Sequence, residues 1–137
     1  MILVDSSVWI DLLRDRVTLQ TELLIGLLGR ATLATGDLML AEVLQGCTSD
    51  ATFEQARRLM TANLAIVPIV DFATAILAAR NYRALRARGI TVRKTIDVLI
   101  ATRCIVEGYA LLYADRDFDP FVEHLGLISA LADPPAL

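Results

Sequence analysis

The beginning of the chain limits its possible folds more than any other stretch, because a short apolar run meets an acid and a helix start there. Ile2 to Val4 is apolar and closed by polar residues, which is typical of a short strand buried on both faces. Apolar residues at helical spacing follow, so Ser6 and Ser7 open an amphipathic helix. Asp5 therefore lies at the carboxyl end of a buried strand, the edge where open parallel sheets bind ligands. The alternative is that Asp5 only caps the helix.

Strands and helices are predicted to alternate along the rest of the chain. Strands are expected at residues 2–4, 31–35, 64–70, 109–114 and 127–129. Helices are expected from residue 6 to a turn at 15–16, over 19–28, 38–45, 50–62, 72–88 and 95–106, and from a turn at 115–120 to about 124. This alternation predicts an α/β fold with a parallel sheet wrapped by helices. We expect a single domain over residues 1–130 and a loose tail over 131–137.

The composition is typical of a small domain that leaves some apolar surface exposed. Of the 137 residues, 55% are hydrophobic, which predicts a large core and some apolar surface left for a partner. No stretch has the roughly 18 uninterrupted apolar residues that a membrane span needs, and the N-terminus lacks a signal-peptide pattern. A cytoplasmic location without a membrane partner is therefore expected.

The cysteine and histidine residues argue against thiolate and imidazole metal sites. Cys47 and Cys104 are far apart, and His124 is the only histidine. These residues lack the spacing of a zinc site or a disulfide framework. A metal in this protein would therefore need oxygen ligands, which suits magnesium or manganese.

Four acidic residues lie where a purely structural role explains them poorly. Asp5 follows the first predicted strand and Asp115 follows the fourth, so both face one crevice if these strands are neighbours. Glu42 and Asp97 each interrupt an otherwise apolar helix, where an unpaired charge is costly. Glu42 has the alternative of a narrow solvent-facing stripe, and Asp97 that of a favourable place near a helix N-terminus.

Taken together, the four acids indicate a bound cation. Acids from separate elements gather at one site only when a cation offsets their repulsion. Two magnesium ions held by them would activate a water and stabilise the leaving oxygen in phosphodiester cleavage. Asp117 and Asp119 are able to join, although a turn has ordinary reasons to be acidic. The nearest bases, Arg93 and Lys94, are expected to point at solvent or substrate.

With these motifs in place, the sequence resembles the PIN-domain ribonucleases. The motifs are Asp5-Ser6-Ser7-Val8-Trp9-Ile10 after an apolar strand, Glu42 in a helix, Asp97 in Ile-Asp-Val-Leu-Ile-Ala-Thr, and Asp115-Arg116-Asp117-Phe118 after a strand. The resemblance covers about residues 1 to 130. The order and spacing of the motifs make it specific. The size of the chain and its start at residue 1 are similar to those of the VapC toxins of bacterial toxin–antitoxin pairs.

The resemblance implies an α/β/α sandwich whose central parallel sheet has the order 3-2-1-4-5. It also implies a magnesium- or manganese-dependent endoribonuclease that cleaves structured RNA such as tRNA. The implied catalytic acids are Asp5, Glu42, Asp97 and Asp115, and the implied metal ligands are Asp5, Asp97, Asp115 and Asp117. Ser6 or Ser7 would place a hydroxyl near the metal and the substrate. The family further implies a homodimer that a cognate VapB-like antitoxin holds inactive.

Basic residues cluster in one part of a chain whose net charge is −3. The cluster spans fifteen residues and comprises Arg80, Arg83, Arg86, Arg88, Arg93 and Lys94. Local fields matter more than net charge for a polyanion, so this run is predicted to guide the RNA backbone. The predicted substrate contacts are Arg86, Arg88, Arg93 and Arg116. The alternative is an ordinary solvated helix face.

Three alternative functions remain open at this point. A haloacid-dehalogenase-like phosphohydrolase needs Asp-x-Asp after the first strand, whereas Ser7 stands at the third position here. A receiver domain needs an acid pair before the first helix and a lysine after a late strand, whereas the only lysine, Lys94, precedes a helix. The third alternative is a catalytically inactive PIN-fold binding module, against which the four intact acids argue.

Overall fold

A computed structural model describes residues 1–30 and 32–131 of the chain. The strands are β1 (Ile2–Val4), β2 (Leu33–Gly36), β3 (Ala65–Val67), β4 (Ala110–Leu112) and β5 (Ile128–Ser129). The helices are α1 (Ser6–Leu13), α2 (Leu19–Leu27), α3 (Asp37–Gln45), α4 (Asp50–Thr61), α5 (Phe72–Ala87), α6 (Thr95–Glu107) and α7 (Asp119–Leu125). A short 3-10 turn, Arg116–Phe118, precedes α7. The tail predicted over 131–137 lies, apart from Leu131, outside the described residues.

The five strands form one parallel sheet in the order β3-β2-β1-β4-β5. β1 is the central strand and pairs with β2 on one side and β4 on the other. Val4, the last residue of β1, lies opposite Leu112, the last residue of β4. Both strands therefore end at the same edge of the sheet. This arrangement confirms the predicted α/β class and strand order.

The hydrophobic core is built around the two central strands. Leu3 and Val4 of β1 and Leu111 and Leu112 of β4 are fully buried, as is Trp9 on α1. Complete burial of such a side chain contributes roughly 1.5–3 kcal/mol relative to exposure, so these contacts fix the two strands firmly. The residues that directly follow β1 and β4 are therefore held by the best-packed part of the protein.

Several boundaries differ from the predicted ones for physical reasons. The strand predicted over 64–70 is only Ala65–Val67, because Pro68 follows and has no N–H group for the ladder. The strand predicted over 109–114 spans only Ala110–Leu112, and the chain then leaves the sheet toward the acidic turn. β2 ends at Gly36 rather than at residue 35, and Ala31, where this strand was predicted to begin, lies outside the described residues.

The start of α3, the helix that carries Glu42, is fixed against the chain that follows β3. At Gly36 a Cβ atom would lie 2.5 Å from Met39 Sδ and 2.8 Å from Ile69 Cδ1, so a glycine permits this close approach. The next residue, Asp37, accepts a hydrogen bond from the Ile69 N–H through Oδ1 at 3.1 Å. α3 is therefore positioned by both the sheet and the loop beyond β3.

The helix that carries Asp97, α6, is anchored by two polar links. The Arg103 side chain donates to the Ile69 carbonyl at 2.9 Å and to Asp71 Oδ2 at 3.1 Å. Asn81 on α5 donates to Thr102 Oγ1 at 3.0 Å, where Thr102 is buried.

Among the described helices, none combines the length and apolar character that crossing a bilayer requires.

Candidate metal centre

The candidate site lies at the edge of the sheet where β1 and β4 end side by side. Asp5 directly follows β1, and its backbone N–H donates to the Leu112 carbonyl at 2.9 Å. Asp115 follows β4 after two intervening residues. The parallel pairing of these strands therefore brings the first and last of the four acids to one edge, as the crevice hypothesis requires.

Asp5 caps α1 and also faces the acidic site. Its Oδ2 atom accepts hydrogen bonds from the Ser7 N–H at 3.0 Å and from the Ser7 hydroxyl at 2.5 Å, which is an N-cap arrangement. Its other oxygen, Oδ1, is buried and has no hydrogen-bond partner within residues 1–30 and 32–131. The two interpretations of Asp5 are therefore compatible, because each carboxylate oxygen serves a different one.

Ser7 links the two strand ends through a single hydroxyl. While its Oγ donates to Asp5, it also accepts the backbone N–H of Ala114 at 3.1 Å. Ala114 immediately precedes Asp115, so this bond ties the start of α1 to the acidic turn after β4. Ser6 is buried in the first turn of α1, and its side chain lowers the pKa of Glu42 against the effect of burial. Both predicted hydroxyls thus act on acids of the site, Ser7 on Asp5 and Ser6 on Glu42.

Three of the acids form a tight cluster. Asp97, Asp115 and Asp117 each offer a carboxylate oxygen, and these oxygens lie within 4.8 Å of one another. Asp97 occupies the first turn of α6, whereas Asp115 precedes the 3-10 turn and Asp117 lies inside it. The Asp117 N–H donates to Asp115 Oδ1 at 2.9 Å, which folds the turn so that both side chains face Asp97.

Of the other acidic side chains in this region, Glu42 belongs to the site and Asp119 does not. Glu42, on α3, is half-buried, and its charge contributes to raising the pKa of Asp97. Asp119, by contrast, accepts a hydrogen bond from the Tyr113 hydroxyl at 2.8 Å and begins α7. The structure therefore brings Asp5, Glu42, Asp97, Asp115 and Asp117 together and leaves Asp119 with a structural partner.

Several carboxylate oxygens at the site are buried without a partner. They are Asp5 Oδ1, Glu42 Oε1, Asp97 Oδ2 and Asp117 Oδ2, none of which receives a hydrogen bond from the part of the chain that the structure describes. A buried charged oxygen without a partner is costly. Oxygen atoms of this kind are the ligands that magnesium and manganese prefer, so the residues present fit a hard divalent cation.

Burial and mutual repulsion both raise the pKa values of three acids at this site. Burial raises the pKa of Asp5 above its usual value, against the opposing hydrogen bonds from Ser7. Burial also raises the pKa of Glu42, and the charge of Asp5 raises it further. The pKa of Asp97 rises to about 7, first because the group is desolvated and then because of the charge of Asp5. Each shift favours the neutral acid, so the site favours binding of positive charge.

Two basic side chains reach the acids, although both were expected to point at solvent or substrate. Lys94 Nζ lies 3.8 Å from Asp115 Oδ2, and Arg93 Nη2 lies 3.5 Å from Asp117 Oδ1. Both side chains remain largely exposed. Sequence reasoning did not include Lys94 among the site residues. Lys94 precedes α6 in extended backbone and pairs with Asp115, which lies 21 residues further along the chain, so no spacing in the sequence signalled this contact.

The other predicted arginine contacts form no ion pair with the acids within residues 1–30 and 32–131. The Arg86 guanidinium sits over the Tyr82 ring at 5.6 Å, and Arg88 caps the end of α5. Arg116 is exposed in the 3-10 turn. Within the described ranges, Arg93 is the one predicted substrate contact that forms an ion pair with an acid of the cluster. The substrate role of these arginines stays a prediction.

Comparisons with known proteins agree with this architecture. A family model described as the PIN domain matches residues 2–122. Ribonuclease VapC11 of Mycobacterium tuberculosis is 33% identical over 123 residues, covering 87% of this chain and 90% of that protein.

Two solved structures share the fold at lower sequence identity. VapBC2 from Rickettsia felis, bound to a DNA fragment from its promoter, superposes with a TM-score of 0.72 at 19% identity and covers 94% of this chain and 97% of that one. Mycobacterium tuberculosis VapC20, described as a Sarcin-Ricin loop cleaving toxin, has a TM-score of 0.64 at 14% identity, covering 88% and 94%. With a family model that spans most of the chain and a relative at one-third identity, this protein belongs to the PIN domain family, as a VapC-type member.

Proposed function

We propose that the protein is a divalent-metal-dependent endoribonuclease and the toxin of a VapBC-type toxin–antitoxin pair. The observation that carries this proposal is the set of buried, unpartnered carboxylate oxygens at the shared end of β1 and β4. The ribonuclease names of its relatives support the same reaction. A phosphohydrolase or an inactive binding module is less well supported, because the chain keeps the acids and family membership of a PIN nuclease.

In this proposal four of the acids bind the metal ion. Asp97, Asp115 and Asp117, with Asp5, would hold Mg²⁺ or Mn²⁺ through carboxylate oxygens. A bound divalent cation supplies Lewis-acid activation of a water and stabilises the leaving oxygen in phosphodiester cleavage. Ser7 keeps Asp5 in place by donating to Oδ2, which leaves Oδ1 directed away from the helix cap.

Proton transfer in this site falls to carboxyl groups. The single histidine, His124, lies on α7 with its Nε2 atom 3.7 Å from Glu123, outside the acidic cluster. Glu42 is the proposed proton carrier, because burial and then the charge of Asp5 raise its pKa above the ordinary value of a glutamate. Of its two oxygens, Oε1 has no hydrogen-bond partner in the described ranges and is free to orient a water.

The proposed substrate is structured RNA such as tRNA, with its backbone guided by the basic run. Six basic side chains between Arg80 and Lys94 are all exposed, so phosphates are able to reach them. Arg93, which pairs with Asp117, extends this surface to the acids themselves. A substrate backbone that follows the run would therefore arrive at the cluster.

Two apolar surfaces support the proposed partners. A cleft of about 280 Å³ beside Glu42 is lined by Ile10, Leu13 and Val43, and we assign it to an amphipathic segment of a VapB-like antitoxin.

Phe72 at the start of α5 is 93% exposed, and Ile76, one helical turn further on, is 59% exposed. We assign this apolar face of α5 to another copy of the chain, because exposed apolar patches of this kind are typical of protein interfaces. The groove between α5 and α6 is lined in part by Arg83 and Arg86 and is left to the RNA.

The activity prediction concerns the metal and Asp97. Purified protein should cut RNA with Mg²⁺ or Mn²⁺ and stop in EDTA. Asp97→Asn should lose roughly a hundredfold or more in rate, because a ligand is removed at nearly constant shape. Asp50→Asn is the matched control, since Asp50 is an exposed acid in the first turn of α4. Full cleavage in EDTA would show that the centre is not metal-dependent.

The stability prediction uses the same variant without metal or RNA. Metal-free Asp97→Asn should be more stable than the parent by about 1 kcal/mol, because one repelling charge is gone. Magnesium should raise the melting temperature of the parent by mass action, and that of the variant much less. An Asp97 that only complements the helix N-terminus predicts a loss of about 0.5–1 kcal/mol instead.

The same measurement has a pH signature with a definite sign. The folded-state pKa of Asp97, about 7, lies above its ordinary value of 3.8, so between these values the folded protein binds a proton that the unfolded chain does not. In EDTA, the parent should therefore become more stable as pH falls from 8 to 5, and Asp97→Asn should lose part of this gain. Identical pH dependence of stability for both proteins would show that Asp97 does not have a raised pKa in the folded protein.

The substrate prediction concerns the arginines. Replacing Arg86, Arg88 and Arg93 together by Gln should weaken RNA binding and lower its salt slope by roughly 1 for each phosphate that is no longer bound. The control removes three exposed cations elsewhere, Arg30, Arg57 and Arg58. If both triple variants bind RNA alike, the run is an ordinary solvated face.

The interface prediction concerns α5. Phe72→Ser should shift the protein from dimer to monomer in light scattering, whereas Phe53→Ser, at a less exposed aromatic on α4, should leave the dimer intact. Neither change touches the cleft beside Glu42, so capture of a co-expressed antitoxin should survive in both. A parent protein that is strictly monomeric at micromolar concentration would contradict the assignment of this surface.

A further inference from the structure

Lys94 occupies a position that its role in α6 does not explain. It is the only lysine in the chain and the N-cap residue of α6, where its ammonium, which has no acceptor atom, cannot receive a helix N–H. N-cap positions favour Ser, Thr, Asp or Asn, whose oxygens accept backbone N–H groups. A cation is also unfavourable at the positive end of the helix dipole. A lysine therefore needs another source of stabilisation here.

That source is the acidic centre. Lys94 Nζ lies 3.8 Å from Asp115 Oδ2, and its charge lowers the pKa of both Glu42 and Asp97 against the effect of their burial. The ammonium therefore acts on carboxylates from three separate elements. Arg93 is different, because its guanidinium is more exposed and contacts one acid, Asp117.

We propose that Lys94 is a positioning residue of the metal centre, whose ammonium holds the acids together before a divalent cation binds and opposes that cation when it arrives. The inference deepens the proposed function and rests on it for the identity of the cation. A side chain that is 61% exposed, on a flexible stem, is able to withdraw into solvent as the cation takes its place. Lys94 would thus stabilise the metal-free fold and weaken metal affinity at the same time.

These two effects have opposite signs, which separates the proposal from a general structural role. Removing the ammonium should lower the melting temperature in EDTA, because the acids lose their counter-ion. It should also tighten Mg²⁺ binding, because a like charge near the metal is gone. A residue that only supports the fold would weaken both stability and metal binding when replaced.

The test measures Mg²⁺ binding by calorimetry and melting in EDTA, both without RNA. Lys94→Met should bind Mg²⁺ about tenfold more tightly than the parent and melt at a lower temperature in EDTA. Lys94→Arg should have a Mg²⁺ affinity and a melting temperature in EDTA close to those of the parent, because arginine keeps the positive charge. Arg57→Met is the control, because it removes the same positive charge from a surface ion pair with Glu54 on α4.

Unchanged or weaker Mg²⁺ binding in Lys94→Met would overturn the proposal, and so would equal tightening in Arg57→Met. Should Lys94→Met not fold without metal, Lys94→Gln gives the same comparison with a neutral side chain that retains hydrogen bonding. RNA cleavage by the parent is measured separately. A parent that binds Mg²⁺ and responds to Lys94 as described, but cuts no RNA, contradicts the proposed function and leaves the role of Lys94 standing.

Discussion

Five carboxylates crowd one edge of the sheet, and their mutual repulsion must be offset for the fold to persist. The parallel pairing of β1 with β4 ends both strands at the same level and brings Asp5 and Asp115 together. α3 and α6 add Glu42 and Asp97, and the 3-10 turn adds Asp117. Two like charges about 4 Å apart repel by roughly 4 kcal/mol at an effective dielectric constant near 20, so such a cluster persists only with compensation.

The protein supplies that compensation in several ways. Ser7 stabilises the ionised form of Asp5 by donating a hydrogen bond to it, and the same hydroxyl links the two strand ends by accepting the Ala114 N–H. Lys94 places a cation beside Asp115. The raised pKa of Asp97 lets that group become neutral near physiological pH. The surrounding core is fully buried around β1 and β4, which provides the stability that a strained site requires.

Much of this arrangement follows from the sequence because it depends on local patterns. The apolar run before Asp5 defines β1, and Glu42 and Asp97 stand out because their helices are otherwise apolar. The strand order came from the family resemblance rather than from periodicity, since hydrophobic pattern alone does not determine which strands are neighbours. The length of β3 was overestimated because apolar residues continue past Pro68, outside the sheet.

Contacts made by loops were harder to predict. Two hydrogen bonds distinguish Asp117 from Asp119: the Asp117 N–H donates to Asp115, whereas Asp119 accepts from the Tyr113 hydroxyl. The approach of Lys94 to Asp115 depends on how the chain between α5 and α6 is folded, and no periodic pattern encodes that path. Such long-range side-chain contacts are set by tertiary packing, whereas the elements they join are set by local sequence.

We expect these acids to form a site for a divalent cation, and anomalous diffraction from crystals of the metal-free protein soaked in Mn²⁺ would reveal it without any RNA. A manganese peak is expected at coordination distance, roughly 2 Å, from carboxylate oxygens of Asp97, Asp115 and Asp117. A manganese peak bound elsewhere, or no peak at this edge of the sheet while the acids keep their arrangement, would contradict it.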